Sequence, residues 1–177
     1  MKLGSLSVIF ILAGALAASA QSSAPAVISV ESTAGPTAAQ AVAPGALVSI
    51  YGTNLAASLT TSDSVPLSTS LGGVGVTLNS TPMPVQFVSS NQVNVQIPWS
   101  MAPTDPKSPA QLVVTSGGQA SAPASVAIVS SAPTVFEFGG QAIAVNPDGS
   151  LAAAPSIIPG INTRPAKIGD SLIIFAT

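Results

Sequence analysis

One phrase of this chain is written twice. Gly45-Ala-Leu-Val-Ser-Ile-Tyr-Gly-Thr53 returns as Gly169-Asp-Ser-Leu-Ile-Ile-Phe-Ala-Thr177, both copies reading G-x-x-[V/L]-x-I-[Y/F]-[G/A]-T after a lead-in that contains proline, Pro44 or Pro165. A self-match at long spacing is the mark of tandem structural units. The phrase is rich in β-branched and aromatic residues and too short for a helix, so each copy reads as a strand. The chain then reads as one complete β-module, residues 26–130, followed by the opening of a second, truncated one, residues 134–177. Ser130-Ser-Ala-Pro133 is the junction between them.

The remaining apolar residues keep a period of two. Val74, Val76 and Leu78 alternate with Gly73, Gly75 and Thr77; Val93, Val95 and Ile97 alternate with Gln92, Asn94 and Gln96; Ala124, Val126 and Ile128 alternate with Ser125 and Ala127. A sheet with one buried face requires this pattern. Val48 and Ile50 are expected to point inward in the same way, with Leu172 and Ile174 as their counterparts in the second copy. Turn signals punctuate the runs at Asn79-Ser80, Ser90-Asn91, Gly117-Gly118 and Asn146-Pro-Asp-Gly149. Gly117-Gly118 suits a two-residue hairpin turn, which needs positive φ at both positions. A second hairpin is predicted with arms 141–145 and 150–153. Leu55–Ser70 and Pro103–Pro109 read as long loops. No segment beyond the N-terminal region sustains a helical apolar period, and the 16 prolines oppose long helices. These features predict an all-β immunoglobulin-like sandwich followed by an incomplete second β-module.

Residues 1–20 read as a signal peptide with its apolar helix. Lys2 supplies the positive end, Leu6–Leu16 the apolar run, and Ala18-Ser-Ala20 the small residues of a cleavage site. The expected location is secreted or cell-surface, with no membrane span left after cleavage. Cysteine is absent, so stability comes without disulfides, a habit more usual for exported bacterial chains than for small eukaryotic ones. Four basic residues against six acidic ones leave no electrostatic footprint for nucleic acid.

Histidine is also absent, which removes the commonest general base and metal ligand. Gly169-Asp-Ser-Leu172 spells the GDSL tetrapeptide of a serine-esterase family. That chemistry needs Ser171 activated by a histidine, and the same residues are accounted for as a turn and strand start. Asp148, with Asn146 and Gly149, has the look of a calcium loop, but one carboxylate is far from the six to eight oxygens calcium takes. Asn-Pro-Asp-Gly is a strong turn sequence in its own right. No catalytic residue, metal or cofactor is therefore expected. The residues with the chemistry of recognition are Gln92, Asn94 and Gln96, an amide row on one strand face, together with Trp99. Amides can hydrogen-bond a glycan or a protein, and an exposed indole can stack on a sugar ring or anchor a partner.

Taken together, Val42-Ala-Pro-Gly-Ala-Leu-Val-Ser-Ile-Tyr-Gly-Thr-Asn-Leu-Ala56, Leu71-Gly-Gly-Val-Gly-Val-Thr-Leu78 and Gln92-Val-Asn-Val-Gln-Ile-Pro-Trp99 resemble immunoglobulin-like modules of the IPT/TIG, or E-set, type. The resemblance is to the C-terminal domain common in secreted acidobacterial proteins. Gly140-Gln-Ala-Ile-Ala-Val-Asn-Pro-Asp-Gly-Ser-Leu151 and Pro165-Ala-Lys-Ile-Gly-Asp170 are similar to that domain's second half. The resemblance implies a secreted, non-catalytic β-sandwich with a structural, spacer or adhesive role. It supplies no catalytic or ligand residue. The family pattern continues beyond the second G-x-x-L-x-I-F-A-T phrase, so the second module is expected to be cut short here.

Overall fold

The structure is a computed structural model that describes residues 23–35, 41–138 and 140–177. The expected signal segment lies outside the described residues. Every regular element among them is a strand, and none is a helix long and apolar enough to cross a membrane.

In chain order the strands of the first 130 residues are β1 (Ala26–Ser32), β2 (Ala41–Val42), β3 (Leu47–Thr53), β4 (Thr60–Thr61), β5 (Ser70–Leu71), β6 (Val74–Leu78), β7 (Thr81–Pro82), β8 (Val85–Val88), β9 (Gln92–Gln96), β10 (Ala110–Ser116), β11 (Gln119–Ala120) and β12 (Ala124–Ile128). They form two sheets. One runs β1-β3-β9-β8-β4; the other runs β2-β12-β10-β6-β5, with β11 joined to β10 and β7 to β6. The pairings are antiparallel except β2 with β12. The first copy of the repeated phrase is β3, central in its sheet, with Ile50 opposite Val30 on β1 and Val93 on β9.

The alternating residues face each other across the two sheets as expected. Val48, Ile50, Val93 and Val95 from one, and Val74, Val76, Leu78, Leu112, Val126 and Ile128 from the other, form one continuous buried core. At roughly 1.5–3 kcal/mol per buried aliphatic side chain, this core is the main source of stability in a chain without cross-links. Gly117 and Gly118, at φ 55° and 81°, make the predicted two-residue turn, with Ser116 opposite Gln119. Asn79 and Ser80 also have positive φ, at 47° and 66°, and turn β6 into β7.

One expectation for this region needs correction. Leu55–Ser70 is not simply loop: Leu55 and Ala56 are in the core, and Thr60–Thr61 pairs with β8. A lone Leu-Ala pair followed by Ser and Thr has no periodicity to reveal it. Met83, between Pro82 and Pro84, is also fully buried and likewise has no periodic neighbour to mark it.

The C-terminal segment carries β13 (Glu137–Phe138), β14 (Gln141–Ala142), β15 (Ala144–Val145), β16 (Leu151–Ala152), β17 (Thr163–Arg164) and β18 (Ile173–Ile174). β13 and β14 pair with each other, and the other four run β17-β16-β15-β18. The hairpin at Asn146-Pro-Asp-Gly149 exists with a shorter ladder than predicted. Val145 stands opposite Leu151, while Gln141–Ala142 turns away to pair with Glu137–Phe138.

The second copy of the phrase is the larger correction. Leu172 is 39% and Ile174 55% exposed, where Val48 and Ile50 are fully buried. The strand forms as expected, but the second layer that covers β3 has no counterpart over β18 among the described residues.

Candidate functional site

The amide row is split by the structure into two places. Gln92 and Asn94 project from β9 with their polar groups turned on each other: Gln92 Nε2 donates to Asn94 Oδ1 at 2.8 Å. The buried Ser49 hydroxyl lies 3.1 Å from the same Oδ1 and 3.3 Å from Thr33 Oγ1. Ser49 is directly opposite Asn94 in the ladder, so the cluster follows from register. It satisfies a polar residue inside the sheet face, since a buried hydroxyl without a partner is costly. The aromatic beside this pair is Tyr51, opposite Gln92 and partly exposed. Tyr51 was legible only as a position in the repeated phrase, where Phe175 takes its place.

Gln96 belongs with Trp99 instead. Its Nε2 donates to the carbonyl of Gly45 at 3.1 Å. Gly45 is held on its other side by its own N–H, which donates to the Ile97 carbonyl at 2.9 Å. Trp99 stands over the same glycine and is 78% exposed. Pro98 ends the strand and lets the chain turn, so the indole leaves the β9 face rather than extending the amide row. It lies along a groove of about 310 Å³ where the sandwich meets the C-terminal segment. Pro44, Gly45, Ser131, Pro133 and Thr177 line the rest of it. The lining has no charged side chain and offers an aromatic face, hydroxyls and backbone groups.

The junction beside Trp99 is tied by hydrogen bonds. Ser32 Oγ is 3.0 Å from Thr177 Oγ1, linking β1 to the residue at the end of the repeated phrase. Thr134 and Thr177 exchange backbone hydrogen bonds at 3.3 and 2.9 Å, and Phe136 N donates to Phe175 O at 3.0 Å. The Val129 N–H donates to the Val42 carbonyl at 2.9 Å, so the chain is held up to the last residue before the Ser130–Pro133 connection.

Asp148 and Asp170 form a single charged network with Arg164. Arg164 Nε donates to Asp148 Oδ2 at 2.6 Å and its Nη1 to Asp170 Oδ2 at 2.9 Å. Asp148 also accepts from the Ser150 hydroxyl and N–H. The hydrogen bonds from Arg164, then those from Ser150, hold the Asp148 carboxyl well below the usual carboxylate range. The Lys167 backbone N–H, then Arg164, lowers Asp170, and the two carboxylates raise Arg164. Asn146 is buried beneath the turn, its Nδ2 donating to Ser150 Oγ and to the Arg164 carbonyl, both at 3.1 Å. An arginine clamp on both carboxylates is the environment of a stapled turn; a calcium ion in its place would face a fixed positive charge. Ser171 is exposed two residues before β18, and its neighbour Asp170 is occupied by Arg164 and Lys167.

Comparison with known proteins places the sandwich in a family. The IPT/TIG domain family matches residues 25–138. No curated protein matches the chain. A solved structure to which it is similar is gamma-CGTase from alkalophilic Bacillus clarkii, 18% identical with a TM-score of 0.42, the likeness covering 71% of this chain and 17% of that one.

Proposed function

The chain belongs to the IPT/TIG family of immunoglobulin-like domains, and we propose that it serves as a non-catalytic spacer at the surface of a bacterial cell. Residues 26–130 would be its principal unit and residues 134–177 the start of a second. Domains of this type are typically non-catalytic, which accords with a chain in which Ser171 has no histidine to activate it.

The junction is the observation that carries this reading. Ser32–Thr177 ties the C-terminal segment to β1 of the sandwich, Thr134–Thr177 closes that segment on itself beside the joint, and a short connection rich in Ser and Pro leaves little slack. A spacer needs such fixed geometry between units, because flexible linkage lets inter-domain orientation wander. The sparsely charged, Ser/Thr-rich surface and the lack of cysteine fit an exported protein that depends on packing alone.

Because no cysteine is present, a single introduced one reports location cleanly. Asp63→Cys lies on an exposed loop. Labelling of this variant by a membrane-impermeant maleimide on intact cells is the expected result. Labelling only after lysis would contradict a surface role.

A second reading, recognition of a surface glycan or protein, is favoured by the exposure of Trp99 beside its uncharged groove. Gln96 supports that site through Gly45, while Gln92 and Asn94 would act from the adjacent sheet face with Tyr51. Quenching or a blue shift of Trp99 emission on titration with a glycan supports this reading; unchanged emission across the titration counts against it.

A further inference from the structure

The outer face of the β1-β3-β9-β8-β4 sheet is assembled by register from residues far apart in the sequence. Glu31 stands opposite Ser49, Ser49 opposite Asn94, Asn94 opposite Phe87, and Phe87 opposite Thr61. Residues directly opposite in an antiparallel ladder share a face, so these side chains form one row. The neighbouring row runs Ser29, Tyr51, Gln92. Phe87 reaches this face through a bulge: Val85 pairs with Val95 and Phe87 with Asn94, leaving Gln86 as the extra residue. In an unbroken ladder Gln86 would stand opposite Asn94 and Phe87 would turn toward the core. The bulge thus sets an aromatic ring on one side of the Gln92–Asn94 pair, with Tyr51 on the other. The two rings are carried by strands two spacings apart, about 10 Å.

The amide pair is fixed but not saturated. Asn94 Oδ1 accepts from Gln92 Nε2 at 2.8 Å and from Ser49 Oγ at 3.1 Å, which orients both amides. Asn94 Nδ2 and Gln92 Oε1 have no partner among the described residues. Neither is sealed from solvent, since the one buried side-chain polar atom without a partner among the described residues is Asn146 Oδ1. The Glu31 carboxylate is also unpaired among the described residues, and the sequence has no Lys or Arg between Lys2 and Lys107. A free donor and a free acceptor on adjoining amides suit neighbouring sugar hydroxyls, each of which both donates and accepts. Because their orientation is already fixed, little rotamer freedom is lost on binding.

We propose that this face binds an extended, neutral glycan of β-1,4-linked sugars. Tyr51 and Phe87 would stack on its rings, and Asn94 Nδ2, Gln92 Oε1 and the Glu31 carboxylate would hydrogen-bond its hydroxyls. This assignment rests on the reading of the chain as a recognition module and centres it on Tyr51, 39% exposed, rather than on Trp99. A ribbon-like glycan matches a broad sheet face on which β3 and β9 are each paired along both edges. A peptide strand draws its affinity from an unpaired edge, which the centre of this face does not offer. Nucleic acid would meet Glu31 with no cation beside it to take the phosphates.

The probes are cellohexaose, xylohexaose and N-acetylchitohexaose, each titrated into the isotope-labelled full chain and followed by NMR. At least one is expected to shift the Asn94 side-chain amide and the Gln92 and Phe87 backbone amides saturably, leaving the Trp99 indole N–H in place. Tyr51→Val keeps a strand-forming residue but loses the ring, and should weaken binding about tenfold. Asn94→Asp keeps the acceptor for Gln92 and Ser49 while removing the outward donor, and should weaken it to a similar degree. Urea midpoints check that the variants fold, and either folded variant suffices. Saturable shifts confined to the Trp99 indole, and undiminished in these variants, would overturn this site while leaving recognition at Trp99 standing. No saturable shift with any of the three glycans would overturn both.

Discussion

The indole of Trp99 fills the space in which Gly45 would carry a side chain: a Cβ built on Gly45 would stand 2.3 Å from Trp99 Cζ2. Gly45 also holds φ at 83°, a region that residues with a Cβ rarely adopt. Backbone conformation and packing thus both require glycine here. Gly45→Ala is expected to destabilise the sandwich by on the order of 1–3 kcal/mol and to displace the sole tryptophan. Urea unfolding followed by Trp99 emission checks both effects, and an unchanged midpoint with unchanged emission would refute this packing.

The two copies of the repeated phrase allow an internal comparison. Ile50 is fully buried, whereas Ile174 is 55% exposed. Ile50→Ala should cost about 2–5 kcal/mol, the usual range for a buried aliphatic truncation. Ile174→Ala should change the same denaturation midpoint by no more than about 0.5 kcal/mol, as exposed substitutions do. Comparable losses at both sites would mean that the second copy is covered after all.

Acidification is expected to act on the Asn146–Gly149 turn. Asp148 and Asp170 both titrate below the usual carboxylate range in the folded chain, chiefly through Arg164 for Asp148 and the Lys167 N–H for Asp170. Groups with lowered folded pKa values stabilise the structure above their unfolded pKa, about 4. That contribution is lost as pH falls through the lowered folded values. The Arg164 side-chain N–H resonance should therefore hold its position from neutrality to about pH 4 and move only at lower pH. In Arg164→Ala, the Asp148 carboxyl should titrate closer to the ordinary range. A wild-type transition already centred in that ordinary range would contradict the clamp.

Ser171→Ala tests the esterase reading directly. Wild-type and variant are expected to hydrolyse p-nitrophenyl esters at the same rate as buffer. Turnover by the wild-type chain that disappears in the variant would reinstate a nucleophile at Ser171.

The sandwich was legible because its signal is local. Val74/Val76 and Val93/Val95 alternate on strands with one buried face, and Gly117-Gly118 names its own turn. The repeated phrase likewise announced two strands, which form as β3 and β18. What it could not convey is burial at Leu172 and Ile174, since coverage depends on a second layer that the phrase itself does not encode. Leu55 and Met83 carry no such signal, because a single core residue among polar or proline neighbours has no period. The recognition set divided for a similar reason. Gln92 and Asn94 meet Ser49 through cross-strand register, and Gln96 and Trp99 meet at Gly45, whose positive φ no alternation pattern reports.

A fixed junction between the sandwich and the C-terminal segment is the core of the spacer reading, and one distance measures it. Spin labels on the double variant Asp63→Cys/Ile168→Cys, both at exposed positions, place one probe on each side of Ser130–Pro133. Double electron–electron resonance is expected to give one narrow distance distribution, unaltered by the viscosity of the buffer before freezing. A broad distribution would mean that the Ser32–Thr177 contact and the short Ser130–Pro133 connection do not hold the two parts together, and would contradict the account.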